Sequence, residues 1–321
     1  MNKLVTICIP TFNSEETIED TIISIINQTY KNIEIKVFDN CSTDSTVQII
    51  TKLKSSYSNI ELKINDSNIG GEANFTQCLQ NSAGDYSGIF HADDIYLPTI
   101  IEEQVSVLNN NPDVVATATN AVKINSKGKV IGKRFWPYEL KKTKTSFLNF
   151  DQLFKLTLKY SNFVTCPTVL ARSEVYKNNI STWNGQNFKT SADLDVWLRL
   201  AQLGKFALIS KPLINYRVDT QSYSFNLKKV RTNRHDMFLV LDHYKNKEIH
   251  TSIYQYYYDF LLLKDDALRS YNLMKKKEKT ILFNPFKFNY LKIAFKDLKH
   301  LREFSAILVI FFLVKIKGII K

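Results

Sequence analysis

The chain of 321 residues is 44% hydrophobic and 23% charged, a composition that excludes disordered and fibrous classes and fits one or two globular domains. Four widely spaced cysteines, Cys8, Cys41, Cys78 and Cys166, form no C-x-x-C pair, which disfavours a disulfide framework or a zinc site and fits a reducing cytoplasm. The net charge of +12 is uneven: residues 1–100 hold 6 Lys, no Arg and 13 acidic residues, a net of −7, which leaves +19 on the remainder. That remainder either meets an anionic partner such as phosphate or a membrane surface, or simply displays solvated lysines.

Leu4 to Pro10 is an apolar, β-branched run, too short before Pro10 and Glu15 to be an export signal. Ser14 reads as an N-cap with Glu15 and Glu16 in the first turn, and Ile18, Ile22, Ile25 and Ile26 follow at helical spacing. Ile33 to Phe38 is a second strand closed by Asp39. A helix follows after "CSTDST", with Val47, Ile50 and Leu53 on its core face. Ile60 to Ile64 is a third strand, 71–81 a helix, and Tyr86 to Phe90 a fourth strand. Such alternation with short links predicts a mostly parallel sheet covered by helices.

Pro98 opens a further helix to Asn109, Val114 to Ala118 is a strand, and "NSKGK" from Asn125 is a turn. Between Phe135 and Thr190 the pattern is irregular, with a helix near 150–158 and an apolar strand from Val164 to Ala171. "SADLDVWLRLAQLGK" is a helix with Leu194, Trp197, Leu198 and Ala201 on one face and Gly204 as its stop. From about Asn226 the chain is helical and basic.

In an open parallel sheet, ligands bind beyond the carboxyl ends of the strands. Asp39 ends strand two and the adjacent Asp93 and Asp94 end strand four, so all three carboxylates fall on one rim, with Thr11, Asn13, Asn40 and Asn68. Asp is also an ordinary turn or cap residue at such ends. The first strand–helix turn, "PTFNSEE", has neither G-x-G-x-x-G nor G-x-x-x-x-G-K. Two adjacent carboxylates become useful if a hard divalent cation, Mg²⁺ or Mn²⁺, bridges them to a diphosphate. An acidic crevice also argues against nucleic acid as the partner.

"VTICIPTFNSEETIEDTIISIINQTYKNIEIKVFDNCSTDST", then "SNIGGEANF", "GDY", "ADDIYLP" and "DLDVWLRLAQLGKFALISKPLINYR", resemble in order the motifs of the family 2 glycosyltransferases, over about residues 3–220. The resemblance implies an α/β, GT-A-like nucleotide-diphospho-sugar transferase fold with a mostly parallel central sheet flanked by helices. The catalytic domain would span 1–225, with a nucleotide-binding half to about 100 and an acceptor half from 101. The resemblance does not cover 226–321, whose own residues read as a helical basic extension that either associates with a membrane or docks on its own domain. The resemblance also implies an inverting transfer from a nucleotide-diphosphate sugar, UDP or dTDP, to a saccharide or lipid-linked saccharide in surface polysaccharide synthesis.

By the same resemblance, Asp39 would accept a hydrogen bond from the nucleobase, Thr11 would lie by the base and Asn68 near the nucleotide. Asp93 would match the last carboxylate of the DXD motif and bind metal and donor, and Asp193 would match the general base. Asp193 also sits where a helix N-cap is expected, Asp195 reads as capping or structural, and Trp197 reads as core rather than as a sugar platform. Three departures from the pattern stand out: His91 and Asp219, where the family often has Asp and His; Asn40, where a second Asp is common; and Ala192, where Glu usually precedes the base. His91 and Asp219 would exchange places around the ion, joining Asp93 and Asp94 as metal ligands, or would be a plain strand-end and loop residue.

The tail "AILVIFFLVKIKGIIK" has an apolar run from Ala306 to Val314 and then Lys315, Lys317 and Lys321. A bilayer-spanning helix needs ~20 apolar residues. A shorter apolar helix with terminal lysines suits an anionic membrane surface, peripherally on the inner face of the cell membrane, or a docking site on its own domain. Two other functional classes stay open here: a noncatalytic nucleotide-sugar- or glycan-binding protein of the same fold, and a sugar-phosphate nucleotidyltransferase, which would want a Gly-rich basic loop after strand one.

Overall fold

The structure, a computed structural model, describes residues 3–218, 230–248, 252–278 and 280–319. The chain divides into two compact units, one of residues 1–154 and 162–218, the other of 155–161 and 219–321. Asp219 lies outside the described residues.

The first unit opens with β1 (Val5–Thr11), α1 (Ile18–Ile26), β2 (Ile33–Asp39), α2 (Thr46–Ser56), β3 (Ile60–Ile64), α3 (Gly71–Gln80) and β4 (Tyr86–Ile89). It continues with β5 (Ile95–Tyr96), α4 (Ile100–Asn110), β6 (Val114–Ile124), β7 (Val130–Lys133), β8 (Thr145–Leu148), α5 (Phe150–Tyr160), β9 (Leu170–Arg172), α6 (Ala192–Leu203) and β10 (Lys205–Arg217). The sheet order is β3-β2-β1-β4-β9-β6-β10-β5, with β7 on β6 and β8 on β10. The pairs β1–β2, β2–β3, β1–β4 and β6–β10 are parallel, and β9 runs antiparallel between β4 and β6.

Ile7, Ile9, Ile35 and Val37 from β1 and β2 share a buried core with Ile18, Ile22 and Ile25 of α1. Each fully buried aliphatic side chain contributes about 1.5–3 kcal/mol. Gly204 is required by space, not by a left-handed conformation: its backbone is extended, and a Cβ there would meet Val115 Cγ1 at 2.5 Å and Asp113 O at 2.9 Å.

Two expected elements differ. α1 is regular only from Ile18 rather than from just after Ser14: Ser14 O accepts the amides of both Thr17 and Ile18, and the amides of Asn13, Ser14 and Glu15 are held by Ser42 Oγ, Thr46 Oγ1 and Asp44 Oδ2 of the neighbouring loop. The strand expected over Val164 to Ala171 is a tight 3₁₀ turn at Cys166–Thr168 followed by the three residues of β9. Pro167 has no N–H to give to a ladder, so pairing begins only after it.

The second unit is helical: α7 (Met237–Glu248), α8 (Ser252–Lys275), α9 (Phe288–Ala294) and α10 (Leu298–Ile319). α10 packs on α8 and α9, burying His300, Phe304, Ile307, Phe311 and Val314 at helical spacing. Asp265, buried, pairs with Arg231 at 2.6 Å. Among the described residues no helix is long and apolar enough to cross a membrane.

Candidate active site

β1 and β2 pair in register as far as Thr11 and Asp39, which places both residues at the carboxyl end of the sheet. Asp39 is fully buried. Its Oδ1 accepts the amide of Ser42 at 2.9 Å and its Oδ2 the Ser42 hydroxyl at 2.5 Å. Thr11 Oγ1 is buried beside it without a hydrogen-bond partner. Asn68 is exposed and accepts from Asn40 Nδ2 at 2.8 Å and from the Gly70 amide at 2.9 Å. Asn40, buried, also accepts the Ile69 amide at 2.9 Å. The amide in place of the family's second Asp therefore works as a donor and an acceptor at once, tying the end of β2 to the loop before α3.

Beyond β4 the chain turns through His91, Ala92, Asp93 and Asp94. The His91 amide donates to Tyr96 Oη at 2.7 Å, and Tyr96 stacks on Phe90 with centroids 3.9 Å apart. Asp94 Oδ1 accepts the Arg217 amide at 2.7 Å. The Arg217 guanidinium is used on the backbone: Nε donates to Asp93 O at 2.7 Å and Nη1 to Ser126 O at 2.7 Å. Arg217 ends β10, so it joins the carboxyl ends of β4 and β10 at the acidic turn.

One candidate ligand atom from each of His91, Asp93 and Asp94 lies within 4.8 Å of the others. Burial pushes the Asp94 carboxyl well above the ordinary carboxylate range, and the charge of Asp93 pushes it further. Burial also lowers His91, which keeps the imidazole neutral, a drop that Asp93 partly offsets. His91 Nε2 and Asp94 Oδ2 are buried without a hydrogen-bond partner. A neutral imidazole nitrogen, an exposed carboxyl and a buried carboxyl with one unpartnered oxygen, which the nearby Arg217 charge offsets only in part, fit a hard divalent cation, which would reverse the bias against the Asp94 carboxylate.

Asp193 occupies the second position of α6, not its N-cap, which is Ser191. Its Oδ1 accepts the Leu194 amide at 2.7 Å and its Oδ2 accepts Asn162 Nδ2 at 2.8 Å. Burial raises its pKa to about 6, against these hydrogen bonds and the charge of Arg134, which lower it. The Cys166 thiol is pushed up by burial and by the charges of Asp193 and Asp94, so both carboxyls act on one side chain. Asp195 is structural: it pairs with Arg199 at 2.8 Å, whose other nitrogens bind Ile180 O and Thr182 O. Trp197 is 2% exposed and packs edge-on against Trp183 and Phe206, a core residue. Asn162, Arg217, Tyr96 and Ser42 are supporting residues that sequence patterns left unmarked.

A mostly parallel sheet with an acidic rim beyond its carboxyl ends defines a GT-A-like glycosyltransferase fold, and the chain superposes on S. aureus TarS 1-349 in complex with UDP-GlcNAc with a TM-score of 0.56 and 16% identity, covering 84% of this chain and 85% of that one. Residues 6–178 match the family described as Glycosyl transferase family 2, and the chain belongs to it. An uncharacterized glycosyltransferase of Methanocaldococcus jannaschii is 28% identical over 249 residues, 76% of this chain and 81% of that protein. The Escherichia coli UDP-Glc:alpha-D-GlcNAc-diphosphoundecaprenol beta-1,3-glucosyltransferase WfaP is 36% identical over 104 residues, 32% of this chain and 40% of its own. Among relatives the matched stretch runs from 34% to 82% of the relative's own length. The protein is a glycosyltransferase.

Proposed function

We propose that this enzyme moves a sugar, with inversion, from a UDP- or dTDP-sugar to a saccharide carried on a lipid, in cell-surface polysaccharide synthesis at the inner face of the cell membrane. The observation that carries the reading is Asp193: a carboxyl with pKa about 6, oriented by two donors and separate from the His91, Asp93 and Asp94 cluster. Support for the donor and acceptor classes comes from a neighbour in fold, TarS, solved with UDP-GlcNAc, and from WfaP, a relative over 104 residues that acts on a diphosphoundecaprenol-linked sugar.

His91, Asp93 and Asp94 would hold Mg²⁺ or Mn²⁺, with Asp219 as a further ligand lying outside the described residues. A cation there offsets negative charge on a departing diphosphate. Asp193 takes the proton of the acceptor hydroxyl as that oxygen attacks the anomeric carbon, and the bond to the diphosphate breaks on the opposite face. One displacement with one base inverts the anomeric centre, as in inverting hydrolysis with a sugar hydroxyl in place of water. A pKa about 6 leaves the base ionised at neutral pH yet basic enough to accept the proton. The Leu194 amide and Asn162 hold the carboxylate in one orientation throughout. Thr11, Asp39 and Asn68 receive the nucleotide on the neighbouring strand ends, with Asp39 reading the base.

The test is a thermal-shift screen of UDP- and dTDP-sugars with and without Mn²⁺, followed by transfer to a polyprenyl-diphosphate-linked saccharide. Stabilisation by one donor only with metal, and loss of transfer in Asp193→Asn with donor binding kept, is the expected result. A variant that still transfers would overturn the assignment of the base.

A further inference from the structure

α10 presents two unlike faces. His300, Phe304, Ile307, Phe311 and Val314 point inward against α8 and α9. The opposite face is also apolar: Leu298 is 72% exposed, Val309 58%, Phe312 52%, Leu313 42% and Ile316 51%. At 100° per residue these five fall within about 100° of arc; exposed Ser305 and Arg302 lie on the same arc between Leu298 and the rest, so the apolar stripe itself runs from Val309 to Ile316, about 10 Å at 1.5 Å per residue, with a guanidinium beside it. A solvent-facing helix face ordinarily carries charge, and a contiguous exposed apolar stripe marks an interaction site.

The charges around the stripe name the partner. Residues 287–321 hold seven Lys and one Arg against two acidic residues, Asp297 and Glu303. Both acids are engaged within the unit: Asp297 lies 3.6 Å from Lys159 and Glu303 2.9 Å from Lys264. From Ala306 onward the sequence has lysines and no acidic residue. Arg302 is exposed on the outer arc, and Lys315 is exposed at the far end of the stripe with its ammonium 4.8 Å from the Phe311 ring centroid. An apolar stripe edged by basic side chains, with its carboxylates turned to internal partners, is complementary to a surface that is apolar beneath and anionic above. A second copy of this face would bring cations against cations.

We propose that the outer face of α10, from Val309 to Ile316 with Arg302 beside it, seats the enzyme on an anionic phospholipid surface, lying in the interface rather than crossing it. The inference rests on the lipid-linked acceptor for its purpose, since a docked enzyme meets an acceptor confined to the bilayer, but not for its geometry.

The experiment is co-sedimentation of the full chain with vesicles of phosphatidylcholine mixed with phosphatidylglycerol, and with phosphatidylcholine alone. The wild type is expected to pellet with the anionic vesicles and to be released by salt. The triple variant V309E/F312E/I316E is expected to lose about tenfold or more in vesicle affinity, and R302E about fivefold, with melting temperature and donor hydrolysis unchanged. Wild type that stays in the supernatant overturns the proposal, as does a triple variant that binds like wild type. So does a concentration-dependent dimer that the triple variant abolishes without any vesicle binding, which would assign the face to a second copy. Vesicle binding without sugar transfer would leave this surface standing and sink the proposed reaction; transfer to a soluble acceptor without vesicle binding would do the reverse.

Discussion

The backbone amide of Arg217 donates to Oδ1 of Asp94 at 2.7 Å, and the same residue's Nε holds the carbonyl of Asp93. Two points of contact from the end of β10 thus fix the Asp94 carboxyl and the backbone of Asp93 in the turn after β4. Arg217→Ala keeps the amide bond to Asp94 but removes the guanidinium, leaving the carbonyls of Asp93 and Ser126 short of a donor. The expected cost is about 2–4 kcal/mol of stability in a denaturant titration, with weaker Mn²⁺ binding; Arg217→Lys recovers only part of each, since one ammonium cannot span the same carbonyls.

Asp193→Asn should stabilise the protein while disabling it. The folded-state pKa of about 6 lies above the ordinary 3.8, so the native state binds the extra proton and ionisation disfavours folding. That penalty is absent below about pH 4, grows between about pH 4 and 6 and is complete above that range. Asn162 can turn its amide so that Oδ1, unpaired in the wild type, accepts from the new side chain. Melting curves should coincide near pH 4 and separate by about 1–2 kcal/mol at pH 8, with transfer reduced about 10²–10⁴-fold. Equal melting temperatures at pH 8 would contradict the raised pKa.

Metal affinity should rise with pH. Burial and Asp93 hold Asp94 protonated well above the usual range, so a cation binding there displaces a proton. The apparent Mn²⁺ dissociation constant should fall by up to about tenfold per pH unit until Asp94 ionises unaided. Asp94→Asn should flatten that slope, which isothermal titration at several pH values reads directly.

His91→Ala should weaken Mn²⁺ binding by about tenfold or more, because it removes a neutral nitrogen donor from the cluster. His91→Asp, which restores the family's usual carboxylate, should recover binding better than alanine. An alanine variant with unchanged metal affinity and turnover would make His91 a plain strand-end residue.

Much of the first unit was legible because its signals are local. Alternating apolar runs and helical spacings place β1 to β4, and the carboxyl ends of those strands carry Thr11, Asp39, Asp93 and Asp94 where a parallel sheet puts its ligands. What stayed hidden depends on contacts distant in sequence. Asn162 reaches Asp193 from 31 residues away out of an irregular segment, and Arg217 reaches Asp94 across 123. The segment before α1 is similar: its first amides are held by hydroxyls and a carboxylate from the loop after β2, about 30 residues on. The outer face of α10 was half legible. An apolar run shows in the sequence, but which of its residues face outward depends on how α8 and α9 cover the other side.

The grip of Ser42 on Asp39 has a consequence for ligand selection. With the amide and hydroxyl of one residue each engaging a carboxylate oxygen, the Asp39 side chain is immobilised before any nucleotide arrives, and the loss of its rotational freedom belongs to folding rather than to binding. Whatever meets this carboxylate encounters a rigid template whose remaining lone pairs point in set directions; on the proposed reading of Asp39, discrimination between nucleobases would be a matter of fit to a fixed shape.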